Sequence, residues 1–331
     1  MRRVMLALLV MVPALVTLTT GPASQVVQAV PSDLPPGFSY EGVVAPGGVA
    51  PISRPTAVEA LPNDRIVVLE QHTGRVRLLN TNTGAVLPGF ALDLLVCTGG
   101  EQGLLGFTED PDFASNGRVY AFYTTPVAGR CRNRISAFTM SGDTISPASE
   151  DVLVEINTVR TNHNGGDLEV GNDGYLYITV GDGGADPRGN SGSGGGNNAA
   201  QDLSILHGKV LRVDRFTGLA PSSNPFFASA GAFNCGQTIN FPALGSHCRE
   251  IFLYGARNPY RFAFDPNVSD TRFFFNDVGQ SGSSQREEVN EAVIGGNFGW
   301  NICEGTCGVG GLINPITEYP RTTGQYITGG A

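Results

Sequence analysis

The chain has four histidines, and one of them, His163, lies in Thr161-Asn-His-Asn-Gly-Gly at the entrance to a short strand. The strand after that one runs out into Gly181-Asp182-Gly-Gly. A neutral imidazole is suited to taking a proton near pH 7, and Gly165-Gly166 lets backbone approach a ligand closely. A structural reading stands beside this one, because loop histidines are commonly solvated and Asn162 and Asp182 are residues that tight turns use for their own hydrogen bonds. Arg257-Asn258 ahead of Pro259 forms a second group. Its guanidinium could stabilise developing negative charge, or pair with a nearby carboxylate.

These residues sit between short segments that alternate apolar and polar positions, as half-buried antiparallel strands do. Arg65–Glu70 and Arg75–Leu79 flank the turn His72-Thr73-Gly74, and Gly117–Thr124 pairs plausibly with Asn133–Thr139. Asp167–Val170 and Tyr175–Val180 flank Gly171-Asn-Asp-Gly, and Lys209–Asp214, Ile251–Tyr254, Phe262–Asp265 and Arg272–Asn276 continue the series. Clusters of strands recurring every ~40–50 residues point to a β-propeller. A sandwich or barrel uses the same alternation but seldom reaches this length. Residues 183–201 are too glycine-rich to pack and read as an exposed excursion. Residues 235–248 read as a second excursion, and loops of this kind on one face would line a binding site.

Arg2 and Arg3, the apolar run Val4–Val16 and the small-x-small ending Val27-Gln-Ala29 read as a signal peptide over residues 1–29, which implies a secreted or periplasmic protein. A proline-rich leader fills 30–37. No segment is apolar enough to span a bilayer, where ~20 residues are needed. The net charge of −9 argues against a nucleic-acid partner, which requires a basic face. Six cysteines in an exported chain read first as disulfides. Proximity suggests Cys97–Cys131, Cys235–Cys248 and Cys303–Cys307, with a metal site as the competing use of the same thiols.

Five segments, in order, resemble the soluble pyrroloquinoline-quinone sugar dehydrogenases, the glucose/sorbosone dehydrogenase family. They are Gly100-Glu-Gln-Gly-Leu-Leu-Gly-Phe with Asp110-Pro-Asp-Phe; Asn162-His-Asn-Gly-Gly; Gly181-Asp-Gly-Gly; Tyr254-Gly-Ala-Arg-Asn-Pro-Tyr-Arg-Phe; and Asp277-Val-Gly-Gln with Glu287-Glu-Val-Asn and Gly295-Gly-Asn-Phe-Gly-Trp. The resemblance covers about residues 38–331. It implies an all-β, six-bladed propeller, with about five blades present in a C-terminally truncated chain. It also implies oxidation of aldose sugars at C1 to the lactone by pyrroloquinoline quinone (PQQ) with Ca²⁺, and an external electron acceptor.

By the same resemblance His163 is the base and Arg257 the charge stabiliser, and the two lie on opposite sides of one pocket. Glu101, Arg257 and Asn258 contact the quinone, while Asn162 and Asp182 face the sugar. Several sugar oxidisers carry Gln where this chain has Glu101, and glucose oxidisers carry Asp at Asn162. A carboxylate turned toward a tricarboxylated quinone is repelled unless it is protonated or metal-bound. Carbonyls of Gln280 and Ser281 hold one Ca²⁺, and Glu288 with the carbonyl of Phe298 a second. The alternative is a non-catalytic propeller that binds carbohydrate or protein, as in animal relatives of the family. A lactone-cleaving propeller hydrolase would need a calcium-carboxylate centre for which no matching set is present.

Overall fold

The computed structural model describes residues 36–37, 51–238, 240–282 and 285–329. The signal peptide and nearly all of the proline-rich leader lie outside the described residues. Four antiparallel sheets follow one another along the chain, each with its strands in sequence order. The first holds β1 (Pro55–Leu61), β2 (Arg65–Glu70), β3 (Arg75–Asn80) and β4 (Ala85–Val86), with β5 (Leu92–Asp93) also on β3. The second holds β6 (Leu104–Glu109), β7 (Arg118–Val127), β8 (Arg130–Ser141) and β9 (Thr144–Asn157). The third holds β10 (Leu168–Val170), β11 (Tyr175–Val180), β12 (Lys209–Asp214) and β13 (Ile251–Tyr254). The fourth holds β14 (Pro259–Phe264), β15 (Phe273–Asp277), β16 (Arg286–Glu291) and β17 (Thr317–Pro320).

The side-chain alternation of β11 explains how the sheets stack. Leu176, Ile178 and Val180 pack with Leu105, Phe122 and Ile135 of the second sheet. Tyr177, on the opposite face, packs with Phe262 and Phe273 of the fourth. A strand apolar on both faces must lie between two layers, and burying such side chains is worth roughly 1.5–3 kcal/mol each. A third core joins the first sheet to the second through Leu69, Val76, Phe107 and Phe138. The first strands of the sheets converge at the centre. Arg261 on β14 donates to the carbonyls of Thr56 on β1 (2.6 Å) and Leu105 on β6 (3.0 Å). This is a propeller arrangement of four blades among the described residues.

Two expectations change. About five blades of chain yield four sheets because the third spends its extra length between strands. Long connections separate β11 from β12 and β12 from β13. The first of these, residues 183–201, is also not simply exposed. Its backbone is held by side chains: Asp186 accepts from the N–H groups of Arg188 (2.8 Å) and Ser191 (2.7 Å), and Asn197 donates to the carbonyl of Asp182 (3.1 Å). Asn197, Ala199 and Ala200 are buried. The ammonium of Lys209, the chain's single lysine, donates to the carbonyls of Ala199, Ala200 and His207 and pins the end of this loop to β12. All three expected disulfides form, Cys97–Cys131, Cys235–Cys248 and Cys303–Cys307. Among the described residues no helix is long and apolar enough to cross a membrane.

Candidate active site

His163 is placed by the chain running toward β10, and its backbone is strained to do so. It has φ 54°, in the left-handed region that residues with a Cβ rarely adopt. The loop after β11 crowds against it. A Cβ added at Gly181 would stand 2.2 Å from the His163 carbonyl oxygen and 2.7 Å from Asn258 Oδ1, so only glycine fits there. Asn258 Oδ1 accepts the N–H of Gly165 (3.0 Å), which ties the His163 loop to the start of β14. The backbone N–H groups of Arg257 and Asn258 are in turn held by the two oxygens of Asp277, at 2.8 and 2.6 Å.

The side chains meet in one buried cluster. His163 Nδ1 lies 2.6 Å from Asp182 Oδ1, and His163 Nε2 lies 3.0 Å from Arg257 Nη2. Arg257 Nη1 donates to the carbonyls of Val278 and Gly279, both at 2.8 Å. An arginine only donates, so Nε2 must be the acceptor, the ring proton sits on Nδ1, and His163 is neutral. That leaves the lone pair, the basic atom, facing Arg257. Asp182 is 1% exposed. Burial alone would raise its pKa, but the hydrogen bonds from His163 and the Gly184 N–H and the charge of Arg257 hold it below the usual carboxylate range.

The structure therefore brings His163, Asp182, Arg257, Asn258 and Glu101 together, and two roles shift. Imidazole and guanidinium touch directly instead of standing on opposite sides of a pocket. Asp182, expected against the sugar, is 1% exposed, and both its oxygens face internal donors. Oδ1 takes His163 and the Gly184 N–H (2.7 Å), and Oδ2 takes Trp300 Nε1–H (2.8 Å). Asn162 is half-buried, and its amide packs against Gly184. Glu101 Oε2 accepts the backbone N–H of His163 (2.8 Å) and Nδ2–H of Asn258 (3.2 Å). The carboxylate that sequence reasoning sets against a quinone thus has internal donors that offset its charge.

The four expected metal residues fall in two places. Glu288 and Phe298 line one cavity of about 10 Å³, together with Asp277, Glu304, Arg257 and Trp300. That is room for roughly one water or one ion. Burial pushes Glu288 up to about 7 and, with the Glu288 charge beside it, pushes Asp277 well above the usual range. Asn290 Oδ1 nearby is buried with no donor, while its Nδ2 donates to Glu288 Oε2 (3.2 Å). Ca²⁺ takes carboxylate oxygens such as those of Glu288 and Asp277, but Asn290 does not line the cavity. Gln280 reaches this cluster only through its N–H, which donates to Glu304 (2.6 Å), and Ser281 is exposed.

Sequence reasoning missed Trp300, Asp277, Asn290 and Glu304. Trp300 was signalled by being the only tryptophan in the chain, at the end of the Gly295–Trp300 segment. Asn290 closes the Glu287-Glu-Val-Asn segment, and nothing in the sequence pointed to Glu304.

A family model for glucose/sorbosone dehydrogenases matches residues 52–325. The chain belongs to the glucose/sorbosone dehydrogenase family. It is 27% identical to quinoprotein glucose dehydrogenase B of Acinetobacter calcoaceticus over 278 residues, covering 75% of this chain and 50% of that protein. It is 29% identical to human Hedgehog-interacting protein over 229 residues, covering 63% of this chain and 29% of that protein. The PQQ-bound aldose sugar dehydrogenase of Streptomyces coelicolor superposes with a TM-score of 0.62 at 26% identity, covering 82% of this chain and 70% of that one. The chain thus spans half or less of the length of these two curated relatives. As a member of the family, it places the His163–Asp182–Arg257 cluster within the matched region.

Proposed function

We propose that this family member is a secreted or periplasmic quinoprotein on a six-bladed propeller. It would oxidise aldose sugars at C1 to the lactone and pass electrons to an external acceptor. The observation that carries this reading is the neutral His163 held between Asp182 (2.6 Å) and Arg257 (3.0 Å). The C1 hydroxyl takes the place of Arg257 at Nε2 and gives up its proton there. The Asp182 carboxylate then faces an imidazolium, which it stabilises in a low-dielectric setting. Arg257, anchored on the carbonyls of Val278 and Gly279, keeps its positive charge beside the reacting carbon. Asn162 faces the sugar at the mouth, and Asp182 orients the base instead of binding substrate. PQQ, when bound, supplies the hydride acceptor that no side chain offers. Arg257 Nε–H is buried without an acceptor, a donor that a quinone oxygen would satisfy. Arg257, Asn258 and Glu101 would hold it. One Ca²⁺ would be held by the carbonyls of Gln280 and Ser281, supplying Lewis acidity when bound, and a second by Glu288 with the Phe298 carbonyl.

A second reading, a non-catalytic propeller that binds carbohydrate or protein, draws on the likeness to Hedgehog-interacting protein and on Glu101 in place of Gln. One assay separates the two. The protein is mixed with PQQ and Ca²⁺, and bleaching of a redox dye is followed across a panel of aldoses. Sugar-dependent bleaching is expected. Silence across the panel, with no spectral change of the added quinone, replaces the enzyme reading with the second.

A further inference from the structure

Trp300 belongs to no role assigned so far, yet it touches two members of the cluster. Its Nε1–H donates to Asp182 Oδ2 (2.8 Å), 118 positions away in the chain, and the Arg257 guanidinium lies over its ring at 5.4 Å from the centroid. Trp300 is 5% exposed, so the indole has no solvent alternative. Its own backbone is fixed: the N–H donates to the Gly255 carbonyl (2.8 Å), and the carbonyl accepts Nε2–H of Gln201 (2.5 Å). Gln201 and Asn297 are locked to each other by reciprocal amide hydrogen bonds of 3.0 and 2.8 Å. The indole is therefore a rigid donor. It occupies one oxygen of Asp182 and leaves the other for His163 Nδ1.

We propose that Trp300 is the positioning residue of this site: its indole N–H sets the Asp182 carboxylate so that His163 keeps its proton on Nδ1 and its lone pair on Nε2, and its ring face seats Arg257. This rests on the base role of His163. Without the indole donor, Oδ2 is buried and unsatisfied, and the carboxylate can turn away from the imidazole.

Because the chain has a single tryptophan, biosynthetic replacement of tryptophan by benzothienylalanine, in which sulfur stands for the N–H, changes position 300 alone. Two readouts are taken on the whole chain. The first is the His163 tautomer by ¹⁵N NMR without cofactor, assigned with His163→Asn. The second is sugar oxidation with PQQ and Ca²⁺. The expected result is loss of the single Nδ1–H tautomer, and a kcat at least tenfold lower with the sugar KM within threefold. An unchanged tautomer with kcat within twofold overturns the proposal. Trp300→Phe gives the same two readings if the sulfur ring is not accommodated. If the native protein oxidises no sugar, the functional reading fails by itself, and the tautomer measurement alone decides the role of Trp300.

Discussion

Arg257 Nη2 lies 3.0 Å from His163 Nε2 across 94 positions of sequence, so the Nε2 lone pair of the imidazole is covered by a cation. The contact orders the ring and, because an arginine only donates, puts the accepting lone pair at Nε2. It also means that the site carries its base in the protonation state the proposed reaction needs.

Removing that base has a defined consequence. His163→Ala is expected to lower sugar oxidation 10²-fold or more in the cofactor-loaded enzyme, in keeping with the ~10²–10⁴-fold contribution of positioned bases. Steady-state kinetics with a redox dye measures it. A rate within a few fold of the native enzyme would remove His163 from the mechanism.

Glu101 makes a separate prediction, because its bonds are known. Oε2 accepts from the N–H of His163 and from Asn258, and a glutamine oxygen can accept both. Glu101→Gln should therefore fold as the native chain does while removing one negative charge that, in the proposed function, would face the tricarboxylated quinone. Coulomb attraction and repulsion at a partly solvated site scale to about tenfold in affinity for one such charge. Quenching of Trp300 fluorescence by added PQQ reads the affinity directly. Tighter binding is expected; unchanged binding would show that the internal donors already cancel the charge, and weaker binding that the carboxylate assists the cofactor.

Much of this was legible from residue order, and the exceptions have physical causes. Strand pairs such as Arg65–Glu70 with Arg75–Asn80 follow from period-two alternation and a turn glycine, both local signals. The His163, Asp182 and Arg257-Asn258 segments each carry a recognisable local pattern, so their convergence could be expected. Their bonding could not. Asp182 lies beside His163 and Trp300 because the third and fourth sheets meet there, and which oxygen each partner takes is set by tertiary packing. Likewise the loop 183–201 reads as unstructured because its order comes from isolated polar side chains such as Asp186 and Asn197, not from a hydrophobic pattern.

The central strands make the stability depend on pH. Glu59 on β1 is half-buried, and burial together with the charges of Glu169, Asp167 and Glu109 pushes it from an ordinary 4.5 to about 8. Burial and Asp167 push Glu169 to about 7. Between about pH 4.5 and 8 the folded chain thus binds more protons than the unfolded one, so these groups contribute stability at low pH that is lost as pH rises through that window. Glu59→Gln removes one of them. Its Tm relative to the native protein should increase steadily from pH 5 to pH 8, as followed by calorimetry. A Tm difference that stays constant over that range would contradict the assignment.

Calcium should act at the opposite charge problem, the buried pair of Asp277 and Glu288. Across β15 and β16 these residues stand directly opposite each other, and Glu288 accepts Nδ2–H of Asn290, whose Oδ1 has no donor. Two neighbouring carboxylates in a cavity of about 10 Å³ repel unless a proton or a cation lies between them. A Ca²⁺ that binds only the folded chain stabilises it by about 2.7 kcal/mol when present at a hundredfold excess over Kd. In a chain of this size that amounts to several degrees in Tm. Glu288→Gln removes a ligand charge and also relieves the repulsion, so the variant should be at least as stable as the native protein without calcium and gain little from adding it. Thermal melts with and without Ca²⁺, on both proteins, decide the point. If the native Tm does not respond to Ca²⁺, or if the variant responds as strongly as the native chain, then Glu288 is not a calcium ligand and the pair is kept apart by a proton alone.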